Sequence, residues 1–303
     1  MIGGPSLFIH SAWNNPPGTV RRLFILGAGF SKHADGTMPI ASELTPCVLD
    51  ATGLRSLPAS TLESALAYLA EEHPFDRAEE PHRRRFMLVQ AIRAIADYVA
   101  ERQDRALDAG LPRWVADYVA CWSASGGMVV SFNYDLFVEK TADRFNLPYR
   151  DTTAERTFAL MKPHGSLDIS WMPGRQGTIH ETLGNRASIR DDRGEGREPF
   201  IVPPTTAKSS FYATEALVPA WQSFRYSLAT AEEIVFIGYS VAEADSTIGG
   251  LLADTLVNPM AIGGPELQTE LPNHCGRYRT GRSGIAPHEP GSRSRSTRLL
   301  DKR

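Results

Sequence analysis

The chain has 303 residues, 42% hydrophobic and 22% charged, so it can bury the core of one large domain or of one domain with an insertion. Its net charge of -3 excludes the strongly basic balance of a chain that binds nucleic acid over its whole surface. It has no run of about 18 apolar residues, which excludes a membrane-spanning helix, and its start lacks the pattern of a secretory signal.

The three cysteines, Cys47, Cys121 and Cys275, lie far apart in the sequence. This usage fits a reducing cytoplasm and excludes a zinc site built from Cys-x-x-Cys pairs. We therefore expect a cytoplasmic protein whose thiols have no chemical role.

Residues 1–20 are rich in Pro, Gly, Asn and Ser and are predicted to be a flexible lead-in. The first strand, Leu23–Leu26, ends abruptly in Gly27-Ala28-Gly29-Phe30-Ser31, where a helix begins. Glycines here let the backbone approach a phosphate, and a helix N-terminus offers free amides and a partial positive charge. The third glycine of the dinucleotide fingerprint is missing, since His33 and Ala34 stand in its place, so a tight structural turn is the alternative interpretation.

Between about residues 42 and 123 the pattern becomes helical. Apolar residues recur there at intervals of three and four, which places them on one helical face: Phe86, Val89, Ile92, Ile95 and Val99. The stretch is too long for a simple crossover between parallel strands. We therefore predict a helical insertion that covers one side of a sheet.

The second strand, which begins after Gly126-Gly127, ends in Asn133 and Asp135. Their spacing of two lets both side chains point the same way. Asn offers a donor and an acceptor to a ribose hydroxyl or a water, and Asp can accept from a carboxamide. The alternative is a pair that caps a loop or a helix start, where both residue types are common.

The segment Lys162-Pro163-His164-Gly165-Ser166 lacks an apolar run of its own and is predicted to be an exposed loop that reaches the same sheet edge. A histidine with a pKa of about 6.5 suits general-base chemistry at neutral pH. Among the eight histidines, His164 is the candidate for this role because of its sequence neighbours, Pro163 and Gly165.

Residues 174–199 have no apolar period and are predicted to form a long surface loop. Phe200-Ile201-Val202 precedes two prolines and is predicted to be an edge strand, since proline cannot continue a central one. After a helix over 213–228, the strand Ile234–Ile237 ends in Gly238-Tyr239-Ser240, and another helix starts near Asp245.

The tail, residues 260–303, is low in complexity and is predicted to be disordered. Two alternatives are an arm that binds RNA and a reading frame shifted after about Pro259, because a doubly wound sheet normally has a further strand there.

Three of the segments described above consist of an apolar run that ends abruptly in small or polar residues. Buried parallel strands end in this way at the carboxyl edge of a doubly wound sheet, where ligands bind. We therefore predict an α/β fold with a doubly wound, mostly parallel sheet, and a nucleotide site at that edge.

Taken in order, the segments resemble the motifs of the sirtuin superfamily, in particular its divergent bacterial branch, over about residues 23–259. Residues 27–31 match its Gly-Ala-Gly-x-Ser phosphate loop, and Phe132–Asp135 match Gln-Asn-x-Asp with Phe in place of Gln. His164-Gly165 match the pair that carries the catalytic histidine, and Gly238–Ser240 match the Gly-Thr-Ser segment that contacts the dinucleotide. An Asp at the position of Asp245 occurs in the bacterial branch. Asn258 is a weaker match to the family's Asn that holds the adenosine ribose.

The resemblance implies a Rossmann-like, sirtuin-type domain over residues 21–259 that binds NAD. Asn133 and His164 are then the catalytic residues. The residues implied to contact NAD are Gly27, Ala28, Gly29, Phe30, Ser31, Asp135, Gly165, Gly238, Tyr239, Ser240 and Asp245.

Two departures argue against the protein-deacylating sirtuins. Those proteins carry four zinc-binding cysteines between the His-Gly and Gly-Thr-Ser segments, and this chain has none there. Their Gly-Ile-Pro-Asp-Phe-Arg run is replaced by residues 37–42, Thr-Met-Pro-Ile-Ala-Ser. No metal is therefore expected.

The resemblance favours an NAD glycohydrolase, which cleaves NAD as its substrate to nicotinamide and ADP-ribose, as several bacterial antiphage effectors do. Asp135 would bind the departing carboxamide, Asn133 would orient a water, and His164 would accept a proton from that water or from a ribose hydroxyl. The alternatives are an NAD-dependent protein deacylase and a non-catalytic sensor of NAD or an ADP-ribose derivative. A hydride-transferring dehydrogenase is disfavoured by the missing third glycine.

A constitutive NAD hydrolase would deplete its own cell, so the resemblance also implies control by a homo-oligomer or a regulatory partner. The helical insertion, with its charged stretch Asp76–Arg85, is the expected contact; a solvated surface is the alternative. Neither a membrane nor a nucleic acid is an expected partner.

Overall fold

The computed structural model describes residues 22–52, 61–147, 149, 158–171, 179–181, 197–212, 214, 217–240, 245–256 and 275–279. The predicted lead-in, most of the predicted tail and Asn258 lie outside these residues.

The described residues form eight strands and nine helices. The strands are β1 (Arg22–Leu26), β2 (Met128–Ser131), β3 (Ala159–Met161), β4 (Gly165–Trp171), β5 (Ile179–Glu181), β6 (Glu198–Ile201), β7 (Glu233–Ile237) and β8 (Cys275–Arg279). The helices are α1 (Ala28–Ala34), α2 (Ala41–Thr52), α3 (Leu62–Ala70), α4 (Glu80–Ala109), α5 (Arg113–Ser125), α6 (Phe137–Arg144), α7 (Ser209–Tyr212), α8 (Val218–Thr230) and α9 (Ser246–Leu256).

The main sheet has the strand order β3-β2-β1-β7-β8. Strand β1 pairs in parallel with β2 and with β7, and β2 pairs in parallel with β3. The predicted mixed α/β fold with a mostly parallel sheet is therefore confirmed, and its arrangement is compatible with a Rossmann-like fold.

Alternate residues of β1 face opposite sides of the sheet, as the period of a strand requires. Phe24 and Leu26 pack in a core with side chains of α3, α4 and α5. Leu23 and Ile25 pack in a second core with Phe224 of α8 and residues of α9. Helices therefore cover both faces, which explains why this strand is an almost continuous apolar run.

Strand β8 is antiparallel to β7 at the edge of the sheet. It lies in the segment predicted to be disordered, so the described part of that segment differs from the prediction. Its sequence, Cys-Gly-Arg-Tyr-Arg, lacks the apolar run that predicted β1, β2 and β7 of this sheet.

A second, antiparallel sheet has the order β5-β4-β6. Strand β6 is an edge strand that ends at Ile201, as predicted before the prolines. Strand β5, in contrast, lies within the range predicted as a surface loop; its pairing with β4 is a tertiary contact that the local pattern did not indicate.

The long helix α4 has 30 residues, about 45 Å of helix at 1.5 Å per residue. Ile92, Ile95 and Val99 are buried, as their spacing predicts. The prediction that Phe86 shares this core face is wrong, because its residue surface is 64% exposed. Phe86 lies in the second turn, before the stretch from Ala91 onward in which apolar residues are regularly buried.

No helix within the described residues is long and apolar enough to cross a membrane.

Candidate functional site

Ser31, at the start of α1, links two of the predicted segments. Its hydroxyl donates to Asp135 Oδ2 at 2.6 Å and accepts from Asn133 Nδ2 at 2.9 Å. All three residues are buried. The side chains that follow β2 therefore both turn toward the loop that follows β1.

Asn133 is held through its amide nitrogen, which also donates to the carbonyl of Gly27 at 2.9 Å. Both amide hydrogens are thus used, so the group that Asn133 can offer to a bound molecule is its carbonyl oxygen, an acceptor. Asp135 accepts from the amide of Phe137 at the start of α6 and from Ser31. It therefore also fulfils the helix-start role of the alternative interpretation.

The glycine loop packs against the turn that follows β7. Gly27 N donates to Ile237 O at 3.1 Å, and Gly29 N donates to Gly238 O at 2.8 Å. A Cβ on Gly29 would lie 2.7 Å from Gly238 O, closer than any real side chain. These glycines therefore serve the contact between two strand-end loops, as in the tight-turn interpretation, and their amides are already bonded.

Two members of the predicted phosphate loop have opposite environments. Phe30 is 2% exposed, and its ring lies 5.3 Å from that of Trp114. Its side chain belongs to the core, so only its backbone could contact a ligand. Ala28, the first residue of α1, is exposed.

His164 lies in the turn between β3 and β4, at the same edge of the main sheet. The prediction of an exposed loop is wrong, because His164 is 6% exposed and follows the short strand β3, whose Leu160 and Met161 are buried. Its carbonyl accepts from Val202 N at 2.7 Å. Burial, followed by the positive charge of Lys208, holds the pKa of His164 well below its ordinary value of 6.5. The imidazole is therefore neutral at neutral pH.

Gly165 follows the histidine with a φ of 76°, in the left-handed region. A Cβ there would overlap the carbonyl oxygen of Phe200 in β6. The glycine of the His-Gly pair is thus required by the approach of β6.

Lys162 connects the histidine turn to the loop after β2. Its Nζ lies 3.0 Å from Glu139 Oε1 in a buried ion pair and donates to the carbonyl of Asp135 at 2.5 Å. The sequence places Lys162 next to the histidine but did not indicate this role, because its partners are 23 and 27 residues away.

An aromatic cluster surrounds His164. Phe132 lies 4.8 Å from the imidazole between ring centroids, and the cluster also contains Tyr212, Trp221 and Tyr239. Tyr212 OH lies 2.9 Å from His164 Nε2. Within this cluster, Trp221 Nε1 and Tyr239 OH are buried and have no hydrogen-bond partner among the described residues. Sequence reasoning missed Tyr212 and Trp221, since no local pattern relates them to the histidine.

Asp245 pairs with Lys208 in an ion pair in which both side chains are largely buried. Burial lowers the pKa of Lys208 to about 8. The Asp245 carbonyl accepts from two amides of α9, so the residue begins that helix and ties it to the segment that carries Tyr212. Ser240, the last residue of its predicted segment, is exposed.

The structure thus links Gly27, Gly29, Ser31, Asn133, Asp135, Gly238 and Tyr239 by direct contacts. His164 joins this group through Phe132, whose ring also contacts Tyr239 at 5.2 Å. In the part of the chain that is described, no three His, Cys, Asp or Glu side chains are grouped to hold a metal ion.

No protein-family model matches this chain, and no curated protein matches it.

Replacing Gly238 by alanine should lower the free energy of unfolding by about 2 kcal/mol or more, because its φ is 60° and a Cβ would overlap the amide nitrogen of Phe30. Urea unfolding followed by circular dichroism measures the change. The matched control is Gly36→Ala, where an added Cβ meets nothing within 4 Å. Equal stability of the two variants would contradict this packing.

Replacing Lys162 by methionine should lower the free energy of unfolding by about 3 kcal/mol, because it removes the cation that faces the buried Glu139 carboxylate. The double variant Lys162→Met/Glu139→Gln should recover part of that loss, since the buried negative charge is then gone. A double variant no more stable than Lys162→Met in urea would show that the ion pair is not the cause.

Proposed function

We propose that this chain is a sirtuin-like NAD glycohydrolase that releases nicotinamide and ADP-ribose. The observation that carries the proposal is a buried, neutral histidine at the same sheet edge as an asparagine whose free group is an acceptor. The identity of the substrate rests on the resemblance to the sirtuin motifs.

The chemistry of NAD explains why so few groups suffice. The bond between nicotinamide and ribose breaks through a cation-like sugar, as in other glycoside cleavages. The nicotinamide ring is positively charged in NAD, so it takes the bonding electron pair and leaves as a neutral molecule without a proton from an acid. The reaction then needs a positioned water and one base.

The described residues fit this division of labour. The carbonyl oxygen of Asn133 would accept a hydrogen bond from the water and aim it at the sugar carbon. His164 would take the proton of the water as the new carbon–oxygen bond forms. Each Asp135 oxygen keeps a lone pair beyond its protein contact and would accept from the carboxamide of the leaving group.

A non-catalytic sensor would not need the histidine in its neutral form, whereas a general base does. Deacylation is disfavoured by the absence of cysteines between residues 166 and 237. We therefore retain hydrolysis as the proposed reaction, in a bacterial cytoplasm and in antiphage defence as the resemblance implies.

Control by self-assembly or by a partner is part of the proposal. Around the start of α4, Phe75 and Phe86 are exposed, as are Arg83 and Arg85. Arg84, in contrast, is buried in an ion pair with Asp76 and holds the preceding loop. Contacts with another chain would therefore use Arg83 and Arg85 and not Arg84.

Replacing His164 by alanine should abolish nicotinamide release from NAD, since it removes the base. Asn133→Ala should do the same, since it removes the acceptor for the water. Chromatographic assay of nicotinamide measures both, with an acetylated peptide in parallel to detect deacylation. Wild-type turnover in either variant would refute the assigned roles.

Two further variants separate chemistry from structure. His82→Ala is the matched histidine control, because His82 is exposed and lies outside the site. Ser31→Ala removes the anchor of Asn133 but leaves its carbonyl oxygen, so its loss of activity should be smaller than that of Asn133→Ala. The reverse order would contradict the role given to that oxygen.

The low pKa of His164 predicts the pH dependence of kcat/KM. Protonation removes the lone pair of the base, and a pKa below 6.5 moves this loss to more acidic pH. At about pH 7.5, Tyr212 is neutral and Lys208 pairs with Asp245. As the pH is lowered from this value, kcat/KM should stay constant to below pH 6.5 and fall only at more acidic pH. A fall centred at or above 6.5 would contradict a buried, neutral base.

A further inference from the structure

Tyr212 is the side chain that contacts the proposed base directly. Its hydroxyl lies 2.9 Å from His164 Nε2, although the two residues are 48 positions apart in the chain. It belongs to α7, a single turn within the segment between β6 and α8. No sequence motif pointed to it.

The packing around Tyr212 fixes where its hydroxyl points. Its ring lies edge-on to that of Trp221, with centroids 4.5 Å apart, and is nearly parallel to the imidazole, at 15°. Its amide donates to Lys208 O at 3.1 Å, which closes the turn of α7. The packing of the Tyr212 ring and the hydrogen bond of its backbone amide therefore fix the position of the hydroxyl.

Both partners of this hydrogen bond are neutral near pH 7. Burial lowers the pKa of His164 and raises the pKa of Tyr212. Among the described residues, Lys208 pairs with Asp245 and also experiences the negative charge of Glu63. A neutral phenol can donate to the lone pair of a neutral imidazole. In the tautomer in which Tyr212 donates to Nε2, that nitrogen is the basic one and the hydrogen of the ring is on Nδ1.

This arrangement leaves an approaching water with no direct access to the lone pair of Nε2, because the Tyr212 hydroxyl occupies it. The phenol oxygen, however, keeps lone pairs that can accept a hydrogen bond. A proton can therefore reach His164 through Tyr212.

We propose that Tyr212 is a catalytic residue that relays the proton from the attacking water to His164. The inference rests on the proposed glycohydrolase function. As the water oxygen bonds to the sugar carbon, the carbon–nitrogen bond breaks and its electron pair goes to the nicotinamide ring. The water proton passes to the Tyr212 oxygen while the Tyr212 proton passes to Nε2. Tyr212 ends neutral, and His164 ends as imidazolium.

The first test is Tyr212→Phe, which keeps the ring and removes only the hydroxyl. We expect kcat for nicotinamide release to fall about 100-fold with KM within about 2-fold of wild type. Tyr226→Phe is the matched control, since Tyr226 lies on the exposed side of α8, and it should keep wild-type kcat. A kcat for Tyr212→Phe within about 3-fold of wild type, with His164→Ala inactive, would overturn the relay.

A second readout separates a relay from a merely structural contact. In single-turnover reactions in mixtures of H2O and D2O, a relay moves two protons in one step, so the wild-type rate should depend on deuterium fraction along a curve. The residual rate of Tyr212→Phe should follow a straight line. A straight line for the wild type would overturn the relay and leave Tyr212 as a positioning residue.

A third readout does not require the proposed activity. Nitrogen NMR of the His164 ring in the NAD-free protein should show the Nδ1–H tautomer in the wild type and a mixture in Tyr212→Phe. An unchanged tautomer in the variant would overturn the inference. If the wild type releases no nicotinamide from NAD, both the proposed function and the relay are wrong. The NMR result still shows whether Tyr212 donates a hydrogen bond to His164 Nε2.

Discussion

The geometry of the site depends on the two hydrogen bonds that the Ser31 hydroxyl makes with Asp135 and Asn133. A hydroxyl donates one hydrogen bond and accepts others, so it can satisfy a carboxylate and an amide together, as it does with Asp135 and Asn133. Because all three groups are buried, losing the hydroxyl would leave two polar atoms without this partner, at a cost of about 1–3 kcal/mol each. These hydrogen bonds also join the loop after β1 to the loop after β2. Because they and the bond to Gly27 O use the amide nitrogen of Asn133, its carbonyl oxygen is the atom left for a ligand.

The histidine side of the site is held by a different kind of constraint. Lys162 joins the histidine turn to the carbonyl of Asp135, and β6 passes so close that only glycine fits at position 165. The same packing that excludes water lowers the pKa of His164 and places Tyr212 and Trp221 around it. Burial therefore keeps the imidazole of His164 neutral and surrounds it with aromatic side chains, and the proposed hydrolysis uses this neutral imidazole as its base.

The strands β1, β2 and β7 of the main sheet follow from local sequence patterns, whereas the burial of individual side chains does not. The apolar runs of β1, β2 and β7 predicted buried parallel strands, because a strand covered on both faces has few places for polar residues. The spacing of Asn133 and Asp135 matches the observed contacts of both with Ser31. The predictions that Phe86 lies in the core and that His164 lies in an exposed loop are wrong, because the period of a helix or the composition of a turn does not say which other element covers a side chain.

The sequence by itself determined the class of fold and the strand-end residues Ser31, Asn133 and Asp135, since strand ends follow from local hydrophobicity and parallel strands share one edge. Only the tertiary structure decided what those residues do there. It assigned the glycines of the first loop to backbone hydrogen bonds with Ile237 and Gly238, and it brought Lys162, Lys208 and Tyr212 to the site. The protonation state of His164 was also decided there, because a pKa depends on burial and on neighbouring charges that come from distant parts of the chain.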